Sequence, residues 1–192
     1  MQTFADDPDQ PGRRIWKHSS AGAIWSGIVM LLCLAMAGML LALPAPAAAR
    51  ETVAFQGYPV GSIVVRTQER RLYFVAAPGV AWRYPVGVGR AGKTWSGHTF
   101  VNSKQIDPAW APPPEVRRDS PHLPDVIPGG SPRNPLGVAV LALDHGGYAI
   151  HGTNNPGSIG RFVSYGCIRM HNRDVLDLYR VAGIGTPVYV LR

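Results

Sequence analysis

Two hydrophobic patterns divide the chain. Residues 21–43 form an uncharged, largely apolar run, whereas beyond residue 50 the apolar positions fall into short β-branched and aromatic runs broken by glycine, proline and polar residues. The second pattern predicts strands over 62–67, 70–76, 81–88, 97–103, 138–143, 148–150 and 187–191. Gln68 and Glu69 are expected to close a hairpin between the first two. Pro85 has no N–H for a ladder and places the third strand toward a sheet edge. One stretch changes period: Val175, Leu178, Tyr179 and Ala182 recur at helical spacing, with Asn172 as N-cap, Asp174 in the first turn and Gly183 at the end. Their apolar face is expected to pack on the sheet. Short strands with one principal helix imply a mainly β domain with an antiparallel sandwich or barrel-like core.

Residues 105–135 fit neither element type. Nine of the eighteen prolines fall here, among them Pro112, Pro113 and Pro114, together with Gly129 and Gly130. A connection of this length without regular structure is commonly functional, and it is expected to form a cleft wall or lid. Trp110 is either a substrate contact in that wall or an anchor pinning it to the core.

The apolar run alters the picture of where the protein works. Arg13, Arg14 and Lys17 precede it, and Ala47, Ala48 and Ala49 follow it. A basic start, an apolar stretch and small residues at a processing site are the features of a secretory signal, with cleavage expected before Arg50. The run is also long enough to span a bilayer, so an uncleaved signal anchor is the alternative. Either reading divides the chain into residues 1–49 and an exported domain of residues 50–192, in the periplasm or cell envelope. Of the two cysteines, Cys33 lies within the apolar run. The exported part keeps one thiol and can form no internal disulfide.

Residues 50–192 hold sixteen Lys and Arg against nine Asp and Glu. A basic surface attracts polyanions, and an anionic wall polymer or membrane surface suits an exported protein. No basic run is interleaved with aromatics, which argues against a nucleic-acid partner.

The candidate chemistry lies between His151 and Asn172. A thiol needs a neighbouring base or cation to become a nucleophile. Here Cys167 has His151 and His171 as possible bases and Arg169 as a fixed cation, while His98, His122 and His145 lack such a context. Gly166, just before the thiol, permits a backbone geometry closed to other residues. His151 and Cys167 are therefore the candidate catalytic pair, with the N–H groups of Gly166 and Cys167 as oxyanion donors. The Gly152 carbonyl is a candidate for orienting the His151 ring. If the segment after Cys167 is extended, Arg169 points to the same side and can hold a substrate carboxylate; a structural salt bridge is its competing role. One thiol and scattered histidines offer no metal-ligand spacing, and no cofactor is implied.

His151-Gly152-Thr153, Ile159-Gly160, Ser164-Tyr165-Gly166-Cys167-Ile168-Arg169-Met170, and then Asn172, Asp174, Leu178 and Tyr179 resemble the L,D-transpeptidase catalytic domain, the YkuD-type family. The resemblance extends over nearly all of residues 50–192. One departure is Tyr165, where many members carry a second histidine. The resemblance implies a transferase that forms a thioester with a peptidoglycan tetrapeptide stem, releases D-Ala, and passes the acyl group to another stem, a lipoprotein or water. It makes Ser164, Tyr165, Gly152 and Trp110 further candidate substrate-binding residues beside Arg169. A thiol hydrolase using the same pair on water, and a non-catalytic wall-binding module, are the alternative functions.

Overall fold

The computed structural model describes residues 50–192. The signal or anchor expected over residues 1–49 lies outside them. Among the described residues no helix is long and apolar enough to cross a membrane.

Eleven strands and two short helices follow one another: β1 (Glu51–Ala54), β2 (Ile63–Arg66), β3 (Arg71–Ala77), β4 (Val80–Pro85), β5 (Val88–Gly89), β6 (Gly97–Ile106), α1 (Pro114–Asp119), β7 (Ala139–Leu143), β8 (Ala149–His151), β9 (Phe162–Ser164), β10 (Ile168–Arg169), α2 (Asn172–Val181) and β11 (Pro187–Leu191). Nine strands make one sheet in the order β1-β4-β3-β2-β11-β6-β7-β8-β10, and β5 pairs separately with β9. The fold is mainly β, as the short-strand pattern predicts.

The long strand β6 joins two arms of this sheet. Its first residues pair with β11 and the remainder with β7, with a register shift between Val101 and Ser103. Ile63, Leu72 and Tyr84 from one arm then share a core with Leu141, Ile150 and Ile168 from the other. In β2 and β3 the period-two alternation is apolar on both sides: Ile63, Val65, Leu72 and Phe74 enter that core, while Val64, Tyr73 and Val75 join Phe55 and Ala81 in a second cluster. Both faces of these strands are therefore covered, which explains their unbroken apolar runs.

Several expectations are corrected. Strand β4 lies between β1 and β3 and is not an edge. The β1 partners run only from Val80 to Arg83, so Pro85 sits beyond their reach and its missing N–H interrupts nothing there. The edge is instead β1, whose largely exposed Glu-Thr-Val-Ala carries no clear strand pattern. The nine-stranded sheet is mixed, because β2–β11 and β8–β10 are parallel pairs, and the separate β5–β9 pair is parallel too. The expected hairpin does form between β2 and β3, with Arg70 in the left-handed region at φ 53° and its N–H donating to the Thr67 carbonyl.

Helix α2 buries Val175 and Leu178 as its spacing predicts, with Ala182 buried just beyond its end. Its ends differ from expectation. His171 occupies the cap position without a side-chain cap bond, and Asn172 directs its side chain elsewhere. Ala182 leaves the helix in an extended conformation, so no left-handed glycine terminates it.

Candidate active site

The site is built on the short β8–β10 ladder. Ile150 pairs with Ile168 and His151 with Arg169 in parallel register. Side chains alternate across a strand, so Ile150 and Ile168 go into the core while His151 and Arg169 share the opposite face. Cys167, one residue ahead of β10, has the same parity as Arg169. A slip of the β10 segment by one residue would expose buried Ile168 and Met170, each stabilising by roughly 2 kcal/mol when buried, and drive Arg169 into the core. The hydrophobic pattern thus fixes which face carries the candidate residues.

That face opens into a cleft lined by His151, Ser164, Tyr165, Cys167 and Arg169 on one side and by Trp110, Pro113, Val116, Pro135 and Leu136 on the other. All of the second group but Leu136, which follows directly, comes from the proline-rich connection, which lines the cleft as expected. This segment is more ordered than its composition suggests. Trp110 and Ile127 exchange two backbone hydrogen bonds of 2.9 and 2.8 Å, closing a loop that contains α1. Buried Asn134 donates to the carbonyls of Pro108 and Pro128 and accepts from the Leu136 N–H.

His151 is buried, and its Nδ1 lies 2.6 Å from the Gly152 carbonyl. A carbonyl can only accept, so the proton resides on Nδ1 and the neutral ring leaves Nε2 as its basic nitrogen. Burial pushes the imidazole pKa down from 6.5 to about 4; the Gly152 hydrogen bond opposes this and the charge of Arg169 adds to it. Burial likewise pushes the Cys167 thiol up, against the Ala149 backbone hydrogen bond and the Arg169 charge. The resting pair is therefore a neutral thiol and a neutral imidazole.

Arg169 is half-buried, and burial lowers its pKa from the ordinary value. Its Nε has no hydrogen-bond partner and, among the described residues, it forms no ion pair. The competing structural salt bridge is thus absent there, and a cation faces the cleft with unused donors.

The remaining candidates separate. The Ser164 hydroxyl donates to the Cys167 carbonyl at 2.6 Å and accepts from the Gly166 N–H at 3.1 Å, so it ties the turn together. That bond occupies one of the two expected oxyanion donors and leaves the Cys167 N–H. Gly152 is absent from the cleft lining; its carbonyl holds the imidazole, and a side chain on it would collide with Asn172. Tyr165 lines the cleft, and its hydroxyl donates to Asp119 of α1 at 2.5 Å. Arg90 lies over the Tyr165 ring at 4.0 Å and also binds Asp119. Trp110 lines the cleft, and its backbone pairs with Ile127 of the same loop.

Two contributions had escaped the sequence. Asn172 Oδ1 accepts the Thr153 N–H at 2.8 Å, fastening the start of α2 to the strand end that carries His151. Trp95 donates from Nε1 to the Gly166 carbonyl at 2.9 Å across 71 positions of sequence. A polar residue before a helix reads as a cap, and nothing local links Trp95 to the thiol. Among the described residues no group of His, Cys, Asp and Glu side chains is placed to hold a metal ion.

Fold and site define a mainly β domain with a thiol and an imidazole on one face of a short parallel ladder. The family model for the L,D-transpeptidase catalytic domain matches residues 61–190, and the chain belongs to that family. It is similar to the probable L,D-transpeptidase ErfK/SrfK of Escherichia coli, at 38% identity over 138 residues, covering 67% of this chain and 43% of that relative. The chain therefore spans less than half the length of that curated relative. Among solved structures, the catalytic domain of the Enterococcus faecium L,D-transpeptidase acylated by ertapenem shares the fold, with a TM-score of 0.53 at 20% identity over 70% of this chain and all of that one. A Brucella melitensis chain described as a probable carnitine operon oxidoreductase aligns with a TM-score of 0.50 at 36% identity, covering 74% of this chain and 93% of that one.

Proposed function

We propose that this protein is an exported peptidoglycan L,D-transpeptidase with Cys167 as nucleophile and His151 as general base. The observation that carries the reading is the shared cleft of the two side chains, with His151 Nδ1–H held by Gly152 so that Nε2 is the basic nitrogen. Because the resting pair is neutral, the thiol proton passes to Nε2 as sulfur adds to the amide carbon of a tetrapeptide stem. The carbonyl electron pair moves to oxygen, where the Cys167 N–H donates to the oxyanion. Collapse breaks the C–N bond, His151 returns its proton to the departing amine of D-Ala, and a thioester remains. An acceptor amine from another stem or a lipoprotein then attacks the thioester carbon while His151 takes its proton; the C–S bond breaks, and that proton passes to the Cys167 thiolate to restore the resting pair. The unpaired Arg169 guanidinium suits the terminal carboxylate of the donor stem, and Tyr165 and Trp110 form the cleft sides along which the stem lies. Residues 1–49 serve as the signal peptide or membrane anchor that delivers the domain to the periplasm.

Intact-mass analysis of the full chain incubated with a tetrapeptide-stem muropeptide tests this reading. A mass gain equal to the stem less its terminal D-Ala, lost in Cys167→Ala, is expected. No adduct and no D-Ala release from folded, reduced protein would overturn it. The hydrolase alternative uses the same residues, so an amine-linked product, present only with an added acceptor, decides between transfer and hydrolysis.

A further inference from the structure

The thiol turn rests on an aromatic stack outside the cleft. Trp95 stacks on Tyr148, with ring centroids 5.2 Å apart and planes 14° from parallel, and His145 lies 4.7 Å from Trp95. Gly166 lies against this stack at φ 126°, and any side chain there would collide with the Tyr148 ring. Neither Trp95 nor Tyr148 lines the cleft, whereas Ser164, Tyr165 and Cys167 do. The stack therefore supports the turn from behind.

The hydrogen bond from Trp95 Nε1 to the Gly166 carbonyl has a consequence fixed by peptide geometry. The 166–167 peptide is trans, so its C=O and N–H share one plane and point in opposite directions. Holding the carbonyl toward the indole aims the Cys167 N–H away from it, toward the cleft side. The adjacent carbonyl is fixed as well, because Ser164 Oγ donates to the oxygen of Cys167. The 166–167 peptide cannot rotate without breaking the Trp95 bond, while the Ser164 bond holds the peptide that follows it. The Gly166 N–H is already paired with Ser164, which leaves the Cys167 N–H as the amide of this turn for a developing oxyanion.

We propose that Trp95 is a positioning residue for acyl transfer: its indole N–H orients the Cys167 amide that stabilises the oxyanion. This rests on the reading of Cys167 as a nucleophile toward carbonyl carbon. An oxyanion donor acts through orientation fixed before the reaction, and a peptide free to tilt loses that advantage even though the thiol is untouched. Trp95 thereby bears on attack at a carbonyl, where negative charge builds on oxygen, and not on attack at a saturated carbon, where none does.

The test compares two reagents on the full chain in a Cys33→Ala background, with Cys167→Ala as blank. Iodoacetamide reads thiol access and acidity without an oxyanion, while p-nitrophenyl acetate transfers its acetyl group to sulfur through one; neither depends on recognition of a peptide stem. Trp95→Phe keeps a stacking ring and removes the donor. Acetylation is expected to slow about tenfold or more, with alkylation changed less than twofold. Replacement of Trp95 by β-(3-benzothienyl)alanine, which keeps the ring shape without the N–H, is expected to match Trp95→Phe and decides the matter if the phenylalanine variant does not fold. Unchanged acetylation, or acetylation and alkylation falling together, would overturn the inference while leaving Cys167 as nucleophile. A parent protein that is alkylated but never acetylated would remove the acyl-transfer reading and this inference with it.

Discussion

Arg169 stands directly across the parallel β8–β10 ladder from His151. Burial holds the imidazole neutral, and the half-buried guanidinium beside it adds to that by disfavouring a second positive charge. The same guanidinium favours the thiolate of Cys167, two residues earlier. One residue thus acts on both members of the candidate pair, favouring the neutral imidazole and the thiolate.

Arg169→Met tests this double role. Loss of a charge-assisted contact to a substrate carboxylate, worth about 1.5–3 kcal/mol, is expected to raise KM for the stem roughly ten- to hundredfold. Loss of the cation also lets the thiol pKa rise further, so iodoacetamide alkylation at fixed mildly alkaline pH slows. Unchanged values for both would show that the guanidinium serves neither partner.

The depressed imidazole links stability to acid. Below its ordinary 6.5 the unfolded chain takes up a proton that folded His151 refuses until about pH 4. Its contribution is therefore complete above pH 6.5 and falls by about 3 kcal/mol as pH drops through that window. Buried Asp174, whose carboxyl is pushed up by burial, works in the opposite sense and stabilises as it protonates. Denaturant unfolding of parent and His151→Gln from pH 4 to 7.5 isolates the histidine: the parent's stability should fall more steeply with acid.

Tyr165 ties the cleft to its wall. Tyr165→Phe removes its bond to Asp119, and Asp119→Asn also weakens the contact of α1 with Arg90. Both pairs are exposed, so global stability should hardly move. Hydrogen exchange of the α1 amides is expected to accelerate several-fold, because local opening is what these contacts resist. Exchange equal to that of the parent would mean that the Tyr165–Asp119 and Arg90–Asp119 contacts do not hold the wall.

Asn172→Ala leaves the Thr153 N–H without its acceptor and should destabilise by about 1–3 kcal/mol. The same change loosens the strand end that carries His151, so turnover should fall as well. Asn172→Asp keeps an acceptor oxygen at that place and is expected to restore most of the stability. If it restores none, acceptance of the Thr153 N–H is not what the asparagine contributes.

The sequence by itself determined the mainly β fold, the apolar faces of the central strands and of α2, and the segment that holds the thiol. These are matters of side-chain period and local backbone preference, and they survive any tertiary arrangement that buries the apolar positions. It also placed Arg169 on the side of Cys167, because alternation in an extended segment needs only parity. Tertiary structure decided what depends on contacts between distant residues. Pairing β8 beside β10 brought His151 to Arg169, and a partner strand shorter than β4 left Pro85 harmless in the interior of the sheet. The same is true of Asn172, read locally as a cap and used across the fold by Thr153, and of Trp95 on the Gly166 carbonyl. A hydrogen bond between residues far apart in sequence leaves no periodic trace, since its donor and acceptor each have ordinary neighbours along the chain.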